Sequence, residues 1–175
     1  KDILPAEQGY WTWITGKAAE LCRLYGYQRI DTPVFEDAAL FLHSVGDETD
    51  IVEKQMYSFD DRGGDRITLR PEGTAPVCRA YLEHGMMNLP QPVKLFYLST
   101  LYRYERPQAG RYREFHQFGC EAIGEADPAL DAEVIDMAWR LFTALGIKDL
   151  HLKINSIGCR NCRPAYLAGV KEFYN

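Results

Sequence analysis

No apolar run in this chain approaches the ~20 residues that a membrane-spanning helix requires. The N-terminus, KDILPAEQGYW, has no basic start followed by an apolar stretch, so a secretory signal and a membrane location are both disfavoured. An initiator methionine is missing, which hints at a segment of something longer. Disulfide scaffolding is also disfavoured. The cysteines number five (Cys22, Cys78, Cys120, Cys159 and Cys162), and an odd set with three members scattered through apparent core segments reads as a reduced, cytoplasmic protein. Excess positive charge is absent too: a net charge of −5 argues against broad coating of nucleic acid, though not against a local basic site. Two nucleotide-binding signatures are missing, the G-x-x-x-x-G-K-[ST] loop and a G-x-G-x-x-G between strand and helix. Any phosphate site must therefore be built from side chains. Repeats, low-complexity tracts and linkers are not found.

What remains is a chain of 175 residues, 46% hydrophobic and 26% charged, enough for one domain with a sizeable core. Residues 5–25 read as an amphipathic helix with Trp13, Ile14, Ala18, Leu21, Leu24 and Tyr25 on one face and Gly26 at its end. YQRIDTPVFE reads as a strand in which Pro33, lacking an N–H, marks an edge or a subunit boundary. A short helix spans Ala38–Val45, and YSF and RITLR form a hairpin around Gly63-Gly64. EGTAPVCRAYLEHG reads as a helix ending near Gly85, and KLFYLSTLYRYE and REFHQFGCEAIG as two long strands. Asp127 caps a further helix with Pro128 at its first position and a stripe of Leu130, Val134, Met137, Leu141, Phe142 and Leu145. LHLKINS is read as a strand, and a last helix runs from about Arg163. The short loop between the long strands leaves no room for a crossover helix. The fold class is α+β, an antiparallel sheet flanked by helices.

The basic residues are uneven: 13 Arg against 7 Lys, with Arg103, Arg106, Arg111 and Arg113 inside eleven positions. Period-two counting puts Arg103 and Glu105 on one face of their strand, and Arg113, Phe115, Gln117 and Glu121 on one face of the returning strand. Such a hairpin suits ATP. Guanidinium forks match phosphate oxygens, Phe115 offers a stacking face, and Glu105 accepts from an exocyclic amine. A solvated hairpin decorated with Arg–Glu pairs is the plainer reading of the same charges. Upstream, Leu69-Arg70-Pro71-Glu72-Gly73-Thr74 sits at a strand-to-helix junction. It reads either as a helix start or as a carboxylate and hydroxyl around a substrate ammonium group. No Ser–His or Cys–His arrangement is convincing, and His43, His84, His116 and His151 read as structural or surface groups.

LRPEGT followed by RYERPQAGRYREFHQFGCE resembles histidyl-tRNA synthetases, a family of class II aminoacyl-tRNA synthetases. The similarity extends through the chain. LYGYQRIDTPVFE resembles the family's dimer-forming motif 1, GDETDIVEKQMYSF its connecting segment, and KINSIGC the strand after the long helix. The resemblance implies a partial class II catalytic core over residues 1–175, truncated before motif 3 and the anticodon-binding domain. It implies ATP and Mg²⁺, L-histidine and tRNA(His) as ligands, a homodimer, and a histidine–tRNA ligase activity that this piece alone would show weakly or not at all. It implies that Glu72, Gly73 and Thr74 bind the histidine α-amino group, and that Arg103 bridges the α-phosphate and the substrate carboxylate. Glu105 would meet the adenine amine, Arg111 the outer phosphates or adenine, and Phe115 the base. Gln117 would contact the amino acid and Glu121 the imidazole N–H.

The alternative is a non-catalytic paralogue, either a regulatory subunit of histidine biosynthesis or a pseudo-synthetase sensor. Such proteins lose parts of the site, whereas Glu72, Thr74, Arg103, Glu105, Arg111, Gln117 and Glu121 all stand here. Cys159-Arg160-Asn161-Cys162 is a single C-x-x-C, short of the roughly four ligands of a zinc site, so no metal is expected of this chain. No thioredoxin-like pattern surrounds it. Some bacterial members of the family carry a further cysteine pair downstream of this stretch, which leaves open whether Cys159 and Cys162 join such a site.

Overall fold

The structure, a computed structural model, describes residues 2–44, 55–104, 108–155 and 158–174. A 3-10 turn at Pro5–Glu7 leads into helix α1 (Gln8–Leu24), which Gly26 ends at φ +78°. The strands β1 (Gln28–Arg29) and β2 (Phe35–Asp37) precede helix α2 (Ala38–Ser44). The hairpin β3 (Tyr57–Asp60) and β4 (Arg66–Leu69) leads into helix α3 (Thr74–Glu83). The strands β5 (Val93–Tyr102) and β6 (Glu114–Ile123) precede helices α4 (Ala129–Ala144) and α5 (Arg163–Tyr174).

Two three-stranded sheets result, ordered β1-β5-β6 and β2-β4-β3. β5 and β6 pair antiparallel over their full length, from Val93 opposite Ile123 to Tyr102 opposite Glu114, and Arg103 N–H extends the ladder to the Arg113 carbonyl. β1 runs parallel to β5, so the first sheet is mixed rather than wholly antiparallel. The fold class is nonetheless α+β, as the patterning indicates.

Strand alternation gives the β5–β6 hairpin two distinct faces. Phe96, Leu98, Phe118, Cys120 and Ala122 face α1 and α4, where Cys22, Tyr27 and Met137 complete a core. The opposite face carries Leu95 and Tyr97 against Val77 of α3, then Leu101 and Arg103 further along. Alternation also sends His116 to the helix side, where its ring lies 4.6 Å from that of Trp11. His116 therefore lies on the face away from Phe115 and Gln117.

Several expectations need correction. YQRIDTPVFE is not one strand. It splits into β1 and β2, and Pro33 lies in the crossing between the two sheets. The missing N–H is tolerated there because the segment's carbonyls do the bonding: Thr32 and Pro33 both accept from Arg70 Nη1. The described part of LHLKINS, residues 150–155, is not a strand. It is irregular, exposed from His151 on, and has no neighbour to pair with among the described residues. The buried face of α1 is rotated from the expected stripe: Ala18 and Cys22 are buried, whereas Trp13, Ile14 and Leu24 are exposed. Small side chains let the helix axis approach the sheet, which the larger ones would prevent. In α4 only Met137 and Leu141 are buried, and Phe142 stays exposed. Asp127 does satisfy that helix's first free amide, accepting from Ala129 N–H at 2.8 Å. The expected helix at Ala38–Val45 is described to Ser44, and of the connecting segment 46–59 residues 46–54 lie outside the described residues.

Candidate functional site

The site is assembled where the β4–α3 junction meets the open face of β5 and β6. Arg70, only 6% exposed, makes the junction rigid. Its Nε donates to Thr100 O at 2.9 Å, and its Nη1 to Thr32 O at 2.5 Å, so one buried guanidinium ties its own junction to two other segments. Burial lowers its pKa, and the carbonyl partners replace the water it has lost. The Arg70 backbone accepts from Tyr102 N–H and donates to Val34 O. Arg70 was not singled out from the sequence. The signal was an arginine flanked by Leu69 and Pro71, too weak to distinguish burial from solvent.

Arg103 is held against the same junction. Its Nε donates to Pro71 O at 2.9 Å, and its guanidinium lies 5.1 Å from the centroid of the Phe115 ring. Arg103 and Phe115 line a cleft of about 390 Å³ together with Gly110, Arg111 and Tyr112. Gly110, at φ +80°, turns the loop so that Gln108 and Arg111 exchange backbone hydrogen bonds and Arg111 enters the cleft. Glu105 lies outside the described residues, with Arg106 and Pro107.

At the other end of the hairpin, Glu72 reaches over Gly73 to cap α3. Its two carboxylate oxygens accept from Thr74 N–H at 2.6 Å and Ala75 N–H at 2.9 Å. Thr74 Oγ1 donates to Glu121 Oε1 at 2.8 Å, which ties the helix start to β6. Gln117 Nε2 donates to the Tyr97 hydroxyl at 3.3 Å. Burial pushes the Glu121 carboxyl above its ordinary range, with the nearby Glu72 charge adding to the rise. Burial also pushes the Tyr97 phenol up to about 12.

Tyr97 is the principal residue that sequence reasoning missed. It is 2% exposed and lies under both ends of the acidic cluster. A Cβ added to Gly73 would come within 2.4 Å of its ring, and one added to Gly119, directly opposite on β6, within 2.2 Å. These two glycines exist as the space that the ring fills. A β-prone tyrosine in a hydrophobic run gave no hint of this, since the pairing with Gly119 is a matter of register.

The structure thus brings Glu72, Gly73, Thr74, Gln117 and Glu121 to one acidic end of a groove, and Arg103, Arg111 and Phe115 to one basic, aromatic end. The arrangement can hold a ligand that is cationic at one end and anionic at the other. Cys159 and Cys162 are elsewhere, exposed, with their sulfurs 3.5 Å apart and Cys159 N–H donating to Cys162 Sγ. Cys22 and Cys120 are free thiols 3.8 Å apart on the helix side of the sheet. Among the described residues no three His, Cys, Asp or Glu side chains are grouped to hold a metal, and no helix is long and apolar enough to cross a membrane.

Comparison with known proteins identifies the family. The family model described as histidyl-tRNA synthetase matches residues 1–160. A histidine–tRNA ligase of Dehalococcoides mccartyi is 67% identical over 174 residues, covering 99% of this chain and 42% of the relative. Among solved structures, apo histidyl-tRNA synthetase of S. aureus superposes with a TM-score of 0.80 at 43% identity, over 99% of this chain and 40% of that one. A Bacillus halodurans protein described as an ATP phosphoribosyltransferase regulatory subunit/histidyl-tRNA synthetase gives 0.74 at 28% identity, over 85% of this chain and 37% of its own. The chain spans about two-fifths of the length of the curated relatives it matches.

Proposed function

This chain belongs to the histidyl-tRNA synthetase family, and from that premise we propose that it forms the first part of the catalytic domain of a histidine–tRNA ligase. The protein would activate L-histidine with ATP to histidyl-adenylate and pyrophosphate, then transfer histidine to tRNA(His), as a cytoplasmic enzyme. The observation that carries the reading is the polarity of the groove, with carboxylates at one end and guanidinium groups at the other, 47 positions of chain folded back to join Thr74 to Glu121.

An amino acid placed along this groove sets its ammonium and ring N–H groups among Glu72, Thr74, Gln117 and Glu121, and its carboxylate toward Arg103. That carboxylate is itself the nucleophile, attacking the α-phosphorus of ATP and expelling pyrophosphate, so no protein nucleophile or base is required. The enzyme's task is alignment and stabilisation of the charge that grows on the phosphoryl oxygens. Arg103 is suited to both, because Pro71 O and the Phe115 ring fix its guanidinium before a ligand arrives. Phe115 would also stack on adenine, Arg111 would meet the outer phosphates or adenine, and Glu105 would accept from the adenine amine. Mg²⁺ would travel on the phosphate oxygens. The described residues offer no carboxylate cluster for it, and no step here depends on it.

The raised pKa of Glu121 fits a pocket built for a neutral or cationic N–H donor, since an imidazole returns the stabilisation that burial removes. A homodimer belongs to the proposal as well. Val34 and Phe35 are exposed beside Pro33, and Phe35 meets Phe59 edge-on at 6.1 Å, an apolar surface suited to a partner subunit. The paralogue reading has less support, because the site side chains are retained and the closely similar curated relatives are named as ligases. The deciding experiment is pyrophosphate exchange into ATP by the full-length protein. Exchange should require histidine, and exchange without it, or with none at all, would sink the reading.

A further inference from the structure

The five cysteines are free thiols, and their surroundings sort them. Cys22 is fully buried and lies 3.8 Å from Cys120, in the core that α1 and α4 form on the sheet. Cys78 is exposed, but desolvation and the charges of Glu121 and Glu72 push its thiol pKa up, which leaves little reactive thiolate at neutral pH. Cys159 and Cys162 differ from these three. Both are exposed, and their sulfurs lie 3.5 Å apart. The chain turns sharply to bring them together. Gly158 sits at φ +74°, and a Cβ added there would come within 3.0 Å of Cys162 Sγ. Arg163 N–H donates to Cys159 O at 2.9 Å and Tyr166 N–H to Cys162 O at 3.2 Å, so the pair occupies the turn that opens α5. Cys159 N–H donates to Cys162 Sγ at 3.1 Å.

From this we infer that Cys159 and Cys162 form a redox-active dithiol, which closes to a disulfide by exchange with a low-molecular-weight disulfide such as glutathione disulfide. No thioredoxin fold is needed. The chemistry asks for two accessible sulfurs within closing distance and a thiolate at one of them. Cys159 is the thiolate: the backbone N–H groups of Cys162 and Asn161, and then the Cys162 side chain, hold its pKa below the ordinary cysteine value. Its sulfur attacks one sulfur of the small disulfide, forming a mixed disulfide and expelling the other half as a thiolate. Cys162 then loses its proton to solvent and attacks the Cys159 sulfur, forming the Cys159–Cys162 bond and expelling the second thiolate. Both released thiolates take up a proton, so two electrons and two protons pass from the pair to the small disulfide. Arg160 and Arg163 flank the pair in sequence and favour an anionic reagent of this kind. In a reducing compartment such a pair rests open and closes only when the disulfide level rises.

The inference is independent of the ligase reading, and its test uses the full-length protein with no activity measurement. The reduced protein is equilibrated with glutathione and glutathione disulfide, quenched in acid, alkylated with N-ethylmaleimide and analysed by peptide mass spectrometry. As the disulfide fraction rises, the peptide holding Cys159 and Cys162 should lose both maleimide additions together and appear two hydrogens lighter than its dithiol. Cys22, Cys78 and Cys120 should stay reduced in the same samples. Cys162→Ser stops the exchange halfway. It should accumulate glutathione on Cys159 at least about 10-fold faster at pH 7 than Cys159→Ser accumulates it on Cys162, or the parent on Cys78. Three results overturn the inference: no Cys159–Cys162 disulfide at any glutathione ratio, equal rates in the two single variants, or a disulfide from either cysteine to another part of the chain. Zinc held by the two thiols, and released only by a mercurial reagent, would overturn it as well, since a metal would then occupy the sulfurs.

Discussion

Thr74 and Glu121 are 47 residues apart in the chain and joined by a 2.8 Å hydrogen bond from the threonine hydroxyl to the carboxylate. One residue starts a helix and the other lies on the floor strand. Their contact closes the acidic end of the groove, and it places Glu121 near enough to Glu72 for the Glu72 charge to be felt there. Two like charges in one half-buried site are costly unless a cation or N–H donor answers them. The predictions below follow from that arrangement.

Arg103→Ala is expected to lower kcat/KM for histidine-dependent pyrophosphate exchange at least about 100-fold in the full-length protein, with little change in thermal stability. The guanidinium is tied to Pro71 O and Phe115 before any ligand binds, so its loss removes a stabilising charge already in place. Near-normal exchange would remove Arg103 from its assigned role.

Glu121→Gln should be more stable than the parent at pH 7 and less selective. Burial raises the folded-state pKa of Glu121, so the folded protein holds that proton more tightly than the unfolded chain does. Ionising it therefore costs stability above the raised value, and the cost disappears as pH falls below the ordinary glutamate value of about 4. Glutamine is neutral throughout and still accepts from Thr74. The unliganded variant should melt above the parent at neutral pH and converge with it in acid. A neutral-pH melting point at or below that of the parent would show that burial is not the dominant influence on this carboxylate.

Glu72→Gln should differ in kind. Glu72 accepts from two amides at the start of α3, so its substitution costs about 0.5–1 kcal/mol of stability. It should weaken histidine and its ring analogues about equally. Glu121→Gln should mainly weaken discrimination against analogues that lack a ring N–H. Dissociation constants for histidine, a ring-altered analogue and histidinol with both variants separate the two roles.

Gly119→Ala should destabilise the protein by about 3 kcal/mol, because the added carbon would lie 2.2 Å from the buried Tyr97 ring, which has nowhere to move. Gly9→Ala, in the exposed first turns of α1 with nothing within 4 Å, is the matched control and should be neutral or slightly stabilising. Urea unfolding of both variants measures the difference.

A homodimer of the full-length protein should sediment at twice the monomer mass at micromolar concentration. Val34→Asp should shift it toward monomer by placing a charge on the apolar surface beside Pro33. A monomeric parent protein would remove the dimer from the proposal.

Local patterning alone determined the long hairpin, the helices after Gly73 and Asp127, and the face shared by Arg103, Phe115, Gln117 and Glu121. Each follows from a period of two or 3.6 and from a glycine, proline or capping residue at its end. Tertiary structure decided the rest. Pro33 looked like an interruption in one strand and proved to lie between two sheets, because a ten-residue alternating stretch does not reveal which neighbour each half will pair with. LHLKINS has the composition of a strand but no partner among the described residues, and a strand exists only by pairing. Arg70 and Tyr97 were invisible as site residues for the same reason. Their importance lies in what surrounds them, two carbonyl-bearing segments in one case and two glycines with a polar cluster in the other, and those neighbours come from parts of the chain that only folding brings within reach.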